Sequence, residues 1–158
     1  MIRRAIIGVG SAHGDDQLGW YVIDQLQKIN IPNIALEKVN SPASTLLQLF
    51  QRYDSVVIVD ACDMGITVGE IIEGRADQLE LSGSSGLSSH DLGVAEAFLL
   101  AQQLGIALPE IKLLMVQLGQ VRPMQPMSDE VLSVVPDVVE KVLNYLQVSQ
   151  PEVHKCIS

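Results

Sequence analysis

With 158 residues, 47% of them hydrophobic and 18% charged, the chain has the composition of one globular domain and not of a disordered segment. Its net charge of −9, with only 10 lysines and arginines and no basic run, argues against nucleic acid or an anionic membrane as partner. The apolar run after Arg3-Arg4 is too short for a signal peptide, no stretch nears the ~20 residues that span a bilayer, and Cys62 and Cys156 lack metal spacing, so a reduced, cytoplasmic setting is expected.

Residues 4–9 form a short apolar run closed by glycine and are predicted to be a buried strand. A glycine turn follows, and residues 16–29 place Leu18, Val22, Leu26 and Ile29 on one helix face, with Pro32-Asn33 as the break. Residues 34–39 read as a second strand, Ser41 to Ser44 as a turn and helix start, and Thr45 to Arg52 as a short helix. Residues 55–60 are β-branched and apolar and end on Asp60, the clearest strand of the chain. Thr67 to Ile72 is read as another strand and Glu73 to Ser88 as a loop rich in glycine and serine. Helical spacing returns over 89–104 through Leu92, Ala95 and Leu99, with Gly105 as C-cap. Ile111 to Gln117 is a strand, Val121 to Met127 a loop, and 128–147 a helix through Val131, Val135, Val138, Val142 and Leu146. Pro136 either kinks that helix or starts its second half.

Alternating strands and helices imply a mostly parallel sheet covered on both faces, in a single domain over 1–150 with a tail over 151–158. Ligands of such sheets bind beyond the carboxyl ends of the strands. Asp16, Asp60 and His90 all fall at or near such ends.

Gly8-Val9-Gly10 with Gly14 is a loose version of the dinucleotide fingerprint, and Glu37 is the acid that would hold a ribose. Asp15 and Asp16 oppose that reading, because two carboxylates in the turn repel a pyrophosphate. Two aspartates and a histidine suit a borderline divalent ion such as nickel or zinc, with coordination positions left open. Blander readings stand beside this one. Asp15 and Asp16 suit a helix cap, and His90 a first-turn surface residue. His13 suits an exposed turn, His154 a frayed tail, Cys62 a small buried residue, and Met124 with Met127 a loop contact.

Taken together, Gly8-Val9-Gly10-Ser11 with Asp15-Asp16-Gln17-Leu18-Gly19, then Ile58-Val59-Asp60-Ala61, then Ser88-Ser89-His90-Asp91-Leu92-Gly93 resemble the hydrogenase maturation endopeptidases. The resemblance covers nearly the whole chain. It implies a three-layer α/β/α sandwich with a mostly parallel five-stranded sheet. It further implies an endopeptidase that removes a C-terminal extension from the NiFe hydrogenase large-subunit precursor after nickel insertion. The metal and catalytic set carried over would be Asp16, Asp60 and His90, with a divalent ion, nickel supplied by the substrate, as the group they read. Asp16 is chosen over Asp15 because it stands three residues before Gly19. The implied partner is the precursor alone, met by a monomer; a precursor-binding adaptor that does not cut is the alternative, beside the dinucleotide protein. Ser11 stands where the family usually has asparagine, and Asn40-Ser41-Pro42-Ala43 where it often has a glycine pair. Segments 82–88 and 121–127 are the expected precursor contacts.

Overall fold

The apolar runs become the strands of one five-stranded sheet in the computed structural model, which describes residues 2–40, 43–75 and 91–148. The strands are β1 (Arg4–Val9), β2 (Ile34–Val39), β3 (Ser55–Cys62), β4 (Ile71–Arg75) and β5 (Glu110–Gln117), in the spatial order β2-β1-β3-β5-β4. Neighbours are parallel from β2 through β5, and β4 runs antiparallel along β5. The helices are α1 (Leu18–Gln27), α2 (Ala43–Arg52), α3 (Asp91–Leu104) and α4 (Asp129–Val148), with a single 3-10 turn, Gly14–Gln17, ahead of α1.

Strand alternation sends successive side chains to opposite faces. One face of the sheet carries Ile6, Val57, Val59 and Leu114 against Leu18, Val22 and Leu26 of α1 and Val131, Val138 and Val142 of α4. The other carries Ile7, Val56, Ile58 and Leu113 against Leu46, Leu49 and Phe50 of α2 and Val94, Ala97 and Phe98 of α3. Phe50 and Phe98 stack with centroids 5.8 Å apart, joining α2 to α3 over the sheet. Helices on both faces give the expected three-layer α/β/α architecture.

Three local readings need correction. The first helix is shorter than 16–29, because a 3-10 turn occupies Gly14–Gln17 and left-handed Asn30 (φ 60°) ends the run early; Ile29 is left half exposed. The fourth strand lies at Ile71–Arg75 and not at 67–72, since Thr67 to Glu70 form the turn that enters it. In α3 the buried face is Val94, Ala97, Phe98 and Ala101, whereas Leu99 points outward. Small alanines there allow close helix–sheet approach, which a count of large apolar residues overlooks. Helix α4 runs through Pro136 without a break. The proline and Leu132, whose carbonyl it leaves without the usual donor, lie on the exposed face, where water can supply the bond. The tail over 151–158 and the loop over 82–88 lie outside the described residues.

Candidate functional site

The sheet order places β2 to one side of β1 and β3 to the other. The connection that follows β1 runs to β2 on one side and the connection that follows β3 runs to β4 on the other, so a crevice opens at the carboxyl ends of β1 and β3. Asp16 comes from the turn that follows β1, and Asp60 from the end of β3. Both are nearly sealed from solvent, 1% and 3% exposed.

Three glycines let the backbone reach this arrangement. A Cβ on Gly8 would lie 2.2 Å from the carbonyl oxygen of Gly19, and one on Gly19 only 2.3 Å from the carbonyl of Val9 and 2.7 Å from that of Val59. The first turn of α1 thus rests directly on the ends of β1 and β3. A Cβ on Gly10 would lie 2.4 Å from the carbonyl oxygen of Asp16, which accepts the Ser11 N–H at 3.0 Å. The glycine pattern that resembled a phosphate loop brings chain against chain at this point. Glu37, the candidate ribose acid, accepts the Tyr53 hydroxyl at 2.6 Å and lies 3.7 Å from Arg52 at the end of α2.

Asp15 does not cap its own helix. Its carboxylate accepts the N–H groups of Gly119 (2.6 Å), Gln120 (2.9 Å) and Ser128 (2.6 Å) and the Ser128 hydroxyl (3.0 Å). Ser128 in turn caps α4, its hydroxyl oxygen accepting the Val131 N–H at 3.4 Å. The segment after β5 is further fastened by Gly14 N–H to the Gln125 carbonyl (2.9 Å), by the Gln17 amide to the same carbonyl (2.7 Å), and by Met124 N–H to His13 Nδ1 (3.1 Å). His13 is therefore a fastening of the 121–127 loop and not merely an exposed turn residue. The neighbouring aspartates differ in setting: Asp15 accepts four internal hydrogen bonds, and Asp16 lies sealed in the turn that follows β1.

Asp60 alternates with Val56 and Ile58 and so shares their face of the sheet, the one covered by α2 and α3. Helix α3 begins at Asp91, immediately after position 90 in the chain, but His90 itself lies outside the described residues. Among the described residues no group of three or more His, Cys, Asp or Glu is placed to hold a metal ion. Two buried carboxylates at one edge supply oxygen donors for a divalent cation or a base for an attacking water, and burial makes either interaction stronger than in bulk solvent. Cys62 is buried at the end of β3, as expected.

Gln117 is a site residue that the sequence reading missed. It ends β5 beside Cys62, on the same face as Asp60, and is buried. Its carbonyl oxygen accepts the N–H groups of Met64 (2.7 Å) and Ile66 (3.3 Å), and its amide donates to Asp63 Oδ1 (3.2 Å) and the Leu118 carbonyl (2.8 Å). The signal was present: a polar residue closing an apolar run, as Asp60 closes 55–60, although β3 itself continues to Cys62.

Comparison with known proteins follows the same lines. A family model described as hydrogenase maturation protease matches residues 22–145. No curated protein matches the chain in sequence. Among solved structures, the fold is similar to the hydrogenase maturating endopeptidase HybD from E. coli, at TM-score 0.82 and 20% identity over 94% of each chain. It is similar to the NiFe hydrogenase maturation protease HybD from Thermococcus kodakarensis, at TM-score 0.74 and 19% identity over 91% of this chain and 99% of that one. The maturation protease HycI from Thermococcus kodakarensis KOD1 matches at TM-score 0.63 and 23% identity, over 92% and 93%.

Proposed function

The chain belongs to the hydrogenase maturation protease family and is accordingly a peptidase; from that premise we propose that it removes the C-terminal extension of a NiFe hydrogenase large-subunit precursor once nickel is in place. The observation that carries this reading is the burial of Asp16 and Asp60 on the two sides of the β1/β3 crevice. Nickel enters as part of the substrate. Asp16, Asp60 and His90 are the side chains that would meet it, oxygen and imidazole donors suited to a borderline divalent ion. An unloaded precursor offers these carboxylates no cation and so docks poorly.

Hydrolysis adds a hydroxyl to the scissile carbonyl carbon and a proton to the leaving amine. A carboxylate at this edge is suited to take the proton from the attacking water and pass it to that amine. We place the reaction in the cytoplasm with the chain acting as a monomer. No helix among the described residues is long and apolar enough to cross a membrane, in keeping with that setting.

The test is incubation of the purified chain with nickel-loaded and nickel-free precursor, followed by mass measurement of the products. Cleavage of the loaded form alone is expected. Asp16→Asn and His90→Ala should each lower the rate at least about a hundredfold while leaving the circular dichroism unchanged. Normal processing by either variant overturns the site assignment. A precursor that binds but keeps its full mass identifies an adaptor, and tight binding of NAD would revive the dinucleotide reading.

A further inference from the structure

The two carboxylates sit on different segments, so something must hold those segments in one frame. We propose that Gln117–Gln120, the exit of β5, is a crossbar that fixes Asp60 relative to Asp16, with Gln117 as its positioning residue. The inference rests on the metal-reading role of those aspartates.

On the Asp60 side, the Gln117 amide uses all four of its hydrogen-bonding capacities, three of them on the loop that leaves β3: Met64 N–H, Ile66 N–H and Asp63 Oδ1. Leu118 N–H donates to the Cys62 carbonyl at 3.1 Å, two residues beyond Asp60. The Gln117 backbone continues the fastening, its N–H donating to Glu70 and its carbonyl accepting from Gly69, both at 2.9 Å. On the Asp16 side, Gly119 and Gln120 donate to the Asp15 carboxylate, and the Asp15 N–H returns a 2.7 Å bond to the Gln120 carbonyl.

Gly119 is where the two sides touch. A Cβ there would meet Val68 Cγ1 of the β3–β4 loop at 3.1 Å and Asp15 Oδ2 at 3.2 Å. Of these four consecutive residues, Gln117 and Leu118 therefore bond to the chain just beyond Asp60, and Gly119 and Gln120 bond to Asp15, the neighbour of Asp16. Loosening one end lets the carboxylates drift apart. Residues that orient a metal's ligands in this manner set affinity without touching the ion.

The experiment measures Ni²⁺ binding to the full chain by calorimetry, with thermal unfolding recorded in parallel and Asp16→Asn as reference. Gln117→Met keeps the side-chain volume and removes the four hydrogen bonds; it should weaken Ni²⁺ about tenfold. Should that variant fail to fold, the exposed partner is changed instead. Asp63→Ala removes one anchor and should weaken Ni²⁺ by about threefold, whereas Asp63→Asn keeps the acceptor oxygen and should restore wild-type binding. Asp16→Asn weakening Ni²⁺ while Gln117→Met and Asp63→Ala bind as wild type would overturn the crossbar and leave the metal reading standing. Ni²⁺ binding that is absent, or unaffected by Asp16→Asn, would overturn the metal reading and the crossbar's role with it.

Discussion

Gly8 and Gly19 meet backbone to backbone, and nothing flexible stands between them. Gly19→Ala would bring its methyl to 2.3 Å from the Val9 carbonyl, and a real contact of that length does not persist. The helix must lift from the strand ends, at a cost of at least about 2 kcal/mol in urea unfolding. Asp15→Ala should cost about 3 kcal/mol by the same measurement, because the N–H groups of Gly119, Gln120 and Ser128 lose the charged, buried acceptor that joins them. A loss under 1 kcal/mol would show that water replaces the carboxylate without strain. Asp16 and Asp60 were legible in the sequence, since an acid after a glycine turn and an acid closing an apolar strand both mark a sheet's carboxyl edge. The role of Asp15 was not, because its partners stand 104 to 113 residues away and no local pattern announces them.

Among the elements, the sequence reading succeeded where apolar spacing was regular and drifted where tertiary contact decides. All five apolar positions named for α4 are buried. Edge strand β4 was displaced because it is half exposed and short, so alternation is weak there. Its attachment is polar instead: Glu73 accepts Lys141 Nζ at 2.8 Å and the Tyr145 hydroxyl, both on α4. The Lys141 ammonium first, then the Tyr145 hydroxyl, hold the Glu73 carboxyl below its usual 4.5. A lowered carboxyl stabilises the fold above its ordinary value, and that contribution is lost as pH falls through the lowered one. Glu73→Gln should therefore cost under about 1 kcal/mol at pH 7, since both charges are partly solvated. At pH 3 the gap between variant and wild type in urea unfolding should narrow. A gap that widens on acidification would mean the carboxylate does not carry the tether. At the alkaline end Glu73 holds Lys141 above its usual 10.5, so the ammonium's share persists to higher pH and then disappears.

At the scale of the whole molecule, the strand order decides where function sits. An alternating sequence implies a parallel sheet but leaves the order of strands open, so the crevice between β1 and β3 could be inferred only as a kind of place and not as a location. With the order β2-β1-β3-β5-β4 fixed, Asp16 and Asp60 flank the reversal, and a ligand bound there, as proposed, would couple to the stability of the entire fold. A cation held between them engages the turn after β1 and the end of β3 together, and both exist only in the folded chain. Binding to the folded state alone adds about 2.7 kcal/mol at a hundred times the dissociation constant. For a domain of this size that is a rise of about 5–10 °C in Tm. Adding Ni²⁺ at that excess should therefore raise the wild-type unfolding temperature by this amount, and a chelator should reverse it. Asp16→Asn and Asp60→Asn should abolish the shift, while Asp24→Asn, on the exposed surface beside Lys38, should leave it intact. Equal shifts in all three variants would place the ion elsewhere on an acidic surface, with the β1/β3 edge uninvolved.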